Sequence, residues 1–454
     1  MKKDSQINLK LTTVINIVLV LIIIIICVVS AIIYINSNKE EVAEVNEVQN
    51  KNEENEVTEN IIEDIKPQIK REKVQMNDED TNFALEFLKM ELNNDNMVYS
   101  PLSIKTALNM LKEGANGNTK AQLDKVLENT NASSYNSIED IMSFANSLFI
   151  RDTYAQNAKK EYSDLLFNKY NAEVKYDPIK SANNANKWIE KKTLGQIKDV
   201  LSDDTFSNEN TKMVLINALA IDMEWKFNFG LDDTYGENFY LENGNNYLAT
   251  MMHHKKCMNK DVSYFKDDSV TALAMDLEEY ENNKMQFIAV MPDENLSEYV
   301  KKFDASTYNG IISKLQPASS ADNGVNITIP KFSFDYRLKL KRDMQEMGIT
   351  DAFNDNKADF TNMFIQTSSS GNLFVGDAVH MANIDFSEKG VKAAAVTAIM
   401  MEANAMIDEK QPLEIKIDKP FMYFIREKET NDIWFLGTVF EPNSWEDDKD
   451  EYRW

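Results

Sequence analysis

Three histidines and two cysteines are all the imidazole and thiol in this 454-residue chain, and their spacing limits the chemistry open to it. His253 and His254 are adjacent, and His380 stands alone in the run AVHMA. Neighbouring histidines can begin a metal site, but no paired acid or cysteine cluster supports these two. There is no G-x-S-x-G elbow, phosphate loop or H-E-x-x-H helix, so the common hydrolase and phosphoryl-transfer machinery is absent from the sequence. A single histidine in an apolar run is more often a hydrogen-bonded core residue than a base or ligand. Cys27 lies in an apolar run far from Cys257, which leaves no disulfide framework. The chain reads as a non-enzyme that needs no metal and no cofactor.

The segment that invites another kind of chemistry is EKGVKAAAVTAIMMEANAM, Glu388 to Met406. Alternate residues Val391, Ala393, Ala395, Thr397 and Ile399 form one small, apolar face. Lys392, Ala394, Val396, Ala398 and Met400 form the other, which carries the only charge. Such alternation suits a strand with one buried face. Alanine also favours helices, and these residues alone leave strand and helix about even. The stretch from Gly390 to Pro412 is too long for an ordinary connector. Small side chains would suit a strand that pushes between strands already in place, because bulk clashes in a close-packed interior.

The elements around it alternate between helical and strand patterns. Phe83, Ala84, Phe87 and Leu88 fall at helical spacing. Ser100 is placed to cap a helix that starts at Pro101 and buries Ile104, Ala107, Leu108 and Leu111, with Gly114 and Gly117 at its end. Thr119 and Gln122 have the spacing of a capping box for the next helix. MVLINALAI, Met213 to Ile221, is apolar enough to be buried on both faces. MQFIAVMP from Met285 and VNITIPKFSFDY from Val325 read as further strands. LKLKRDMQEMG reads as a helix stopped by Gly348, and FMYFIRE and IWFLGTVF form a hairpin around KETND. This mixture implies one α+β domain.

Composition narrows the class. Hydrophobic residues make up 43% and aromatics 10%, enough for a full core, while a net charge of −25 excludes a nucleic-acid partner. Lys2, Lys3 and Lys10 precede Val14–Ile35, an uncharged run matching the ~20 residues of a spanning helix. No A-x-A-like cleavage site follows, which favours a retained anchor over a removed signal. The lysines before the run place the rest of the chain outside the cell. The expected plan is a basic cytoplasmic segment at 1–13, a transmembrane anchor at 14–35 and an acidic disordered linker at 36–80. A folded domain at 81–442 and an acidic tail at 443–454 complete it.

From about Thr81 to Pro442 the chain resembles the serpin family. The resemblance rests on SPLSIKTALNMLKEGANGNTKAQ, NSLFI, NANKWIEKKTLGQIKDVL, INALAIDMEWKFNF, IPKFSFDYRLKLKRDMQEMGITDAF, VGDAVHMANIDFSEKGVKAAA and DKPFMYFIRE, in that order. It implies three β-sheets, about nine helices and an exposed reactive-centre loop, here preceded by one transmembrane helix. Such a protein is a suicide substrate for a serine protease. After acylation the cut loop inserts into the main sheet as a new strand, so the opening segment is a loop first and a strand afterwards.

Counted as the family counts, the reactive bond is Asn404–Ala405, with Ala403 and Met406 as alternative flanking residues. No Lys or Arg occupies the window from Ala398 to Glu409, which points to a subtilisin-like or elastase-like target outside the cell. Asn404 would also suit an asparagine-cleaving cysteine protease. The hinge comprises Glu388, Gly390, Val391, Lys392, Ala393, Ala394, Ala395, Val396 and Thr397; Lys392 departs from the family's usual acid. Ser100, Ser103, Asn217 and His380 match the cluster beneath the opening sheet. Trp225, Lys331 and Glu388 match the place where the loop enters, and a Lys331–Glu388 ion pair is expected there. The resemblance implies a membrane-anchored prokaryotic-type inhibitor acting as a monomer, its partners the target protease and the membrane. The alternative is a non-inhibitory carrier or chaperone, which an alanine-rich hinge disfavours.

Overall fold

Strands that are largely apolar need cover on both faces, and here they form the centre of the folded body. Val270–Asp276, Met285–Pro292, Phe421–Glu427 and Ile433–Val439 are buried throughout and lie next to one another in a seven-stranded sheet. Their side chains alternate between two cores. Ala272, Ala274, Ile288 and Val290 join one that includes the helices, while Leu273, Met275, Phe287 and Ala289 join the other. Phe421–Glu427 and Ile433–Val439 are the hairpin read from the sequence.

The computed structural model describes residues 73–452 except 132, 200, 204–205, 207–210, 368–371 and 392–410. Among the described residues there are three sheets and about ten helices. The main sheet runs from Glu173–Asp177 through Met142–Arg151, Met213–Ile221 and Val375–Ser387 to Phe332–Lys339. Two short strands, Gly390–Val391 and Met223–Glu224, pair at one end of it. A four-stranded sheet orders Leu413–Lys416, Val325–Pro330, Asn246–Cys257 and Thr234–Tyr240. Helix Pro101–Gly114 buries Ile104, Ala107, Leu108 and Leu111, the face expected of it.

Some local expectations give way to tertiary contacts. VNITIPKFSFDY is two strands in two sheets, Val325–Pro330 and Phe332–Lys339, separated by Lys331 alone. Leu338 and Lys339 end the second strand, so the helix before Gly348 is only Leu340–Glu346. Thr119 and Gln122 make no capping box; helix Gly117–Val126 has no side-chain cap. Thr119 Oγ1 accepts from Asp359 N at 3.0 Å, and Gln122 Oε1 accepts from Thr350 N and Asp351 N, each at 2.9 Å. Both side chains satisfy backbone donors of a distant segment.

The ordered body also starts earlier than position 81. Lys73 Nζ lies 3.0 Å from Glu427 Oε1, and Met76 N donates to Thr430 O at 2.8 Å. Asn77 and Asp80 form a capping box on helix Asp78–Glu91, and Asp80 pairs with Lys105 at 3.0 Å. The acids that end the apparent charge run therefore sit at a helix N-terminus, where the dipole favours them. Val14–Ile35 lies outside the described residues; among those described, no helix is long and apolar enough to cross a membrane.

Candidate functional site

Two long strands of the main sheet are joined in parallel, Met213–Ile221 beside Val375–Ala382. Beneath this seam the four residues expected to cluster do so. Helix Pro101–Gly114 begins there because Ser100 caps it, its hydroxyl accepting from Ser103 N at 3.1 Å. His380 Nε2 accepts from Ser100 N at 2.9 Å, and its Nδ1 lies 2.6 Å from Asn217 Oδ1. An imidazole that accepts at Nε2 must carry its proton on Nδ1 and donate it to Asn217. Asn217 Nδ2 in turn faces Ser103 Oγ at 2.6 Å and Asn146 Oδ1 at 2.5 Å.

All of these side chains are buried, and burial drives the His380 pKa down to about 3. The neutral imidazole is a hydrogen-bonded link between Ser100 and Asn217. Asn146 is a member the sequence reading missed. Its signal was a polar residue in a strand at the position directly opposite Asn217.

At the end of the seam the chain turns back on itself. Phe386 and Ser387 pair with Val391 and Gly390, leaving Glu388 and Lys389 as a two-residue turn. Gly390 and Val391 also pair with Glu224 and Met223 on their other side, so the first hinge residues already form a short strand. Gly390 is tightly enclosed: a Cβ there would stand 2.1 Å from the Met223 carbonyl oxygen. Val391 is 2% exposed, on the inward face the alternation assigned to it. Trp225 grips the turn from below, its N donating to Lys389 O at 2.8 Å and its Nε1 to Ser387 O at 2.9 Å. Phe229 N donates to Glu388 O at 2.9 Å.

Trp225, Lys331 and Glu388 do meet here, but the expected Lys331–Glu388 ion pair is replaced by a bridge. Lys331 Nζ pairs with Glu451 Oε2 at 2.8 Å and reaches the Tyr452 hydroxyl at 3.1 Å. That hydroxyl donates to Glu388 Oε1 at 2.6 Å. Burial alone would lower the lysine pKa, yet hydrogen bonds to Glu451 and Tyr452 and the Glu388 charge carry it above the usual lysine value. Glu451 and Tyr452 lie in the acidic tail, where nothing in the sequence reading marked them.

Lys392, Ala393, Ala394, Ala395, Val396 and Thr397 lie outside the described residues, as do Ala403, Asn404, Ala405 and Met406. His253 and His254 lie apart from the seam; His253 Nε2 is 2.8 Å from Glu237 Oε2, and His254 packs edge-on against Phe227. Cys257 is a buried free thiol.

Known proteins resemble this chain in sequence and fold. An uncharacterized serpin-like protein of Thermococcus kodakarensis is 31% identical over 371 residues, covering 77% of this chain and 82% of that one. Human leukocyte elastase inhibitor is 28% identical over 401 residues, covering 81% of this chain and 100% of its own. The crystal structure of the thermophilic serpin tengpin in the native state superposes with a TM-score of 0.68 at 24% identity, covering 82% of this chain and 100% of that one. The family model for serpins, serine protease inhibitors, matches residues 78–442, most of the chain, and this chain belongs to the serpin family.

Proposed function

We propose that the protein is a suicide-substrate inhibitor of secreted subtilisin-like or elastase-like serine proteases, anchored in the membrane by Val14–Ile35 with its folded domain outside. The observation that carries this reading is the parallel seam with Gly390–Val391 seated at one end of it. That short strand runs antiparallel to both neighbours, so continuing it from Lys392 would turn one parallel ladder into two antiparallel ones. Antiparallel pairing is slightly more stable per residue, and the new strand would gain hydrogen bonds on both edges. The small residues from Ala393 to Ala395 are those that can enter without displacing the sheet.

The chemistry follows from the target's own mechanism. Its serine gives its proton to the protease's own histidine and attacks the carbonyl of Asn404; the bond to Ala405 breaks, and the histidine passes the proton to the new amine, which stays on the C-terminal part of the chain. The ester then holds the protease on the end of a loop that is free to insert. A strand of about 14 residues covers roughly 45 Å, far enough to carry the bound protease away from where it docked.

The test is incubation of the full chain with subtilisin, elastase and chymotrypsin, followed by denaturing gels and mass spectrometry. A covalent complex resistant to denaturant, with a released peptide beginning at Ala405, is the expected result. Cleavage by every protease in the panel without a complex would overturn it in favour of a carrier or chaperone.

A further inference from the structure

We infer that the C-terminal segment Asn443–Tyr452 is a positioning element of the trapping reaction: through Tyr452 and Glu388 it holds the hinge turn and slows insertion of the uncut loop. The inference deepens the inhibitory reading and rests on it. The segment lies beyond the residues matched by the family model, which end at 442.

This segment is built into the body. Asn443 N donates to Lys331 O at 3.0 Å, Asn443 Oδ1 accepts from Ser333 N at 3.0 Å, and Asn443 O accepts from Thr250 N at 2.9 Å. One residue is thereby bonded to the backbone on both sides of the joint between two sheets. Trp445 then lies on Gly236, where a Cβ would stand 2.5 Å from the indole Cγ. The ring of Trp445 stacks with Tyr452 at 5.5 Å. That stack delivers the Tyr452 hydroxyl to the turn.

A phenol has one proton to give. Donating it to Glu388 while accepting from the Lys331 ammonium satisfies all three groups in a single arrangement. Glu388 is 4% exposed, so its carboxylate has little water to fall back on if the hydroxyl leaves. Lys331 is held in turn by Glu451. Extending Gly390–Val391 through Lys392 and its successors moves Val375–Ser387 away from Met213–Ile221, and with it the turn Glu388–Lys389 that continues Val375–Ser387. A carboxylate fixed there resists that step.

The test uses the full chain without any protease. Wild type and variants are warmed, and the fraction that becomes resistant to urea unfolding is followed over time. Tyr452→Phe is expected to convert about tenfold faster, the scale of one charge-assisted hydrogen bond. Glu388→Ala should match it, the double variant should be no faster than either, and Glu388→Gln, which keeps an acceptor, should recover most of the wild-type rate. A merely structural role would lower the urea midpoint of the starting fold without this pattern of rescue. Removal of residues 443–454 should act like Tyr452→Phe, and if the shortened chain does not fold, the point variants decide. Equal behaviour of wild type, Tyr452→Phe and Glu388→Ala would overturn the inference. Failure of the inhibitory reading would show separately, as a wild-type chain that forms no covalent complex whatever its conversion rate.

Discussion

His380 and Asn217 hold each other across the seam: Nδ1 of one lies 2.6 Å from Oδ1 of the other, on the two strands paired in parallel there. Because burial takes the His380 pKa down to about 3, the unfolded chain binds a proton that the folded chain refuses once pH falls below the usual histidine value near 6.5. A depressed folded pKa gives stability that is present above that value and lost as pH falls through the folded one. The expected loss is about 1.4 kcal/mol per pH unit over this window. Urea midpoints at pH 7.5 and 5.5 should converge in His380→Gln relative to wild type; an unchanged pH dependence would refute the assignment.

Asn217 joins the seam to both the helix below and the neighbouring strand. Asn217→Leu would leave Asn146 without its partner and remove the acceptor of His380. Burying such groups unpaired should lower stability by about 2–4 kcal/mol. Equilibrium unfolding measures this, and Asn146→Ala should show a smaller loss that is not additive with it.

Gly390→Ala should expel the short hinge strand. Its Cβ would meet the Met223 carbonyl at 2.1 Å, and backbone on that side cannot yield as a flexible side chain would. Limited proteolysis is expected to cut between 392 and 410 several-fold faster, with a stability loss of about 1–3 kcal/mol.

Ala395→Arg tests the inward face of the loop. Val391, four positions before it in the same alternation, is buried on that face. The variant should be cleaved as fast as wild type but should release the protease, raising the inhibitor consumed per enzyme by about tenfold or more. Its cleaved form should lack the gain in thermal stability expected of the cleaved wild type. Lys392→Glu, on the other face, should inhibit normally.

What the sequence reveals of the fold is what local pattern controls. Met213–Ile221 and Met285–Pro292 have the bounds their apolar runs suggested, and Ser100 caps its helix as its type and position implied. Lys331 shows where pattern fails. It sits mid-run in an alternating stretch, and nothing local says that the strand before it and the strand after it join different sheets. Ser100, Ser103, Asn217 and His380 were recognisable together only through the family resemblance. Asn146 and Tyr452 were not, because each acts on a partner far along the chain: 71 residues away for Asn217 and 64 for Glu388. Tyr452 was further hidden by the acids around it, which resemble a solvated terminus.

The buried hairpin has a consequence for the protein after it is cut. A break anywhere between 392 and 410 leaves Phe421–Glu427 and Ile433–Val439 on the C-terminal piece, and both strands are wholly buried in the central sheet. That fragment cannot diffuse away without unfolding the body. The cleaved molecule is therefore a heterodimer of one gene product, its smaller subunit held by the core itself. Tyr452 and Glu388 then belong to different chains, and their hydrogen bond becomes a subunit contact spanning the cut.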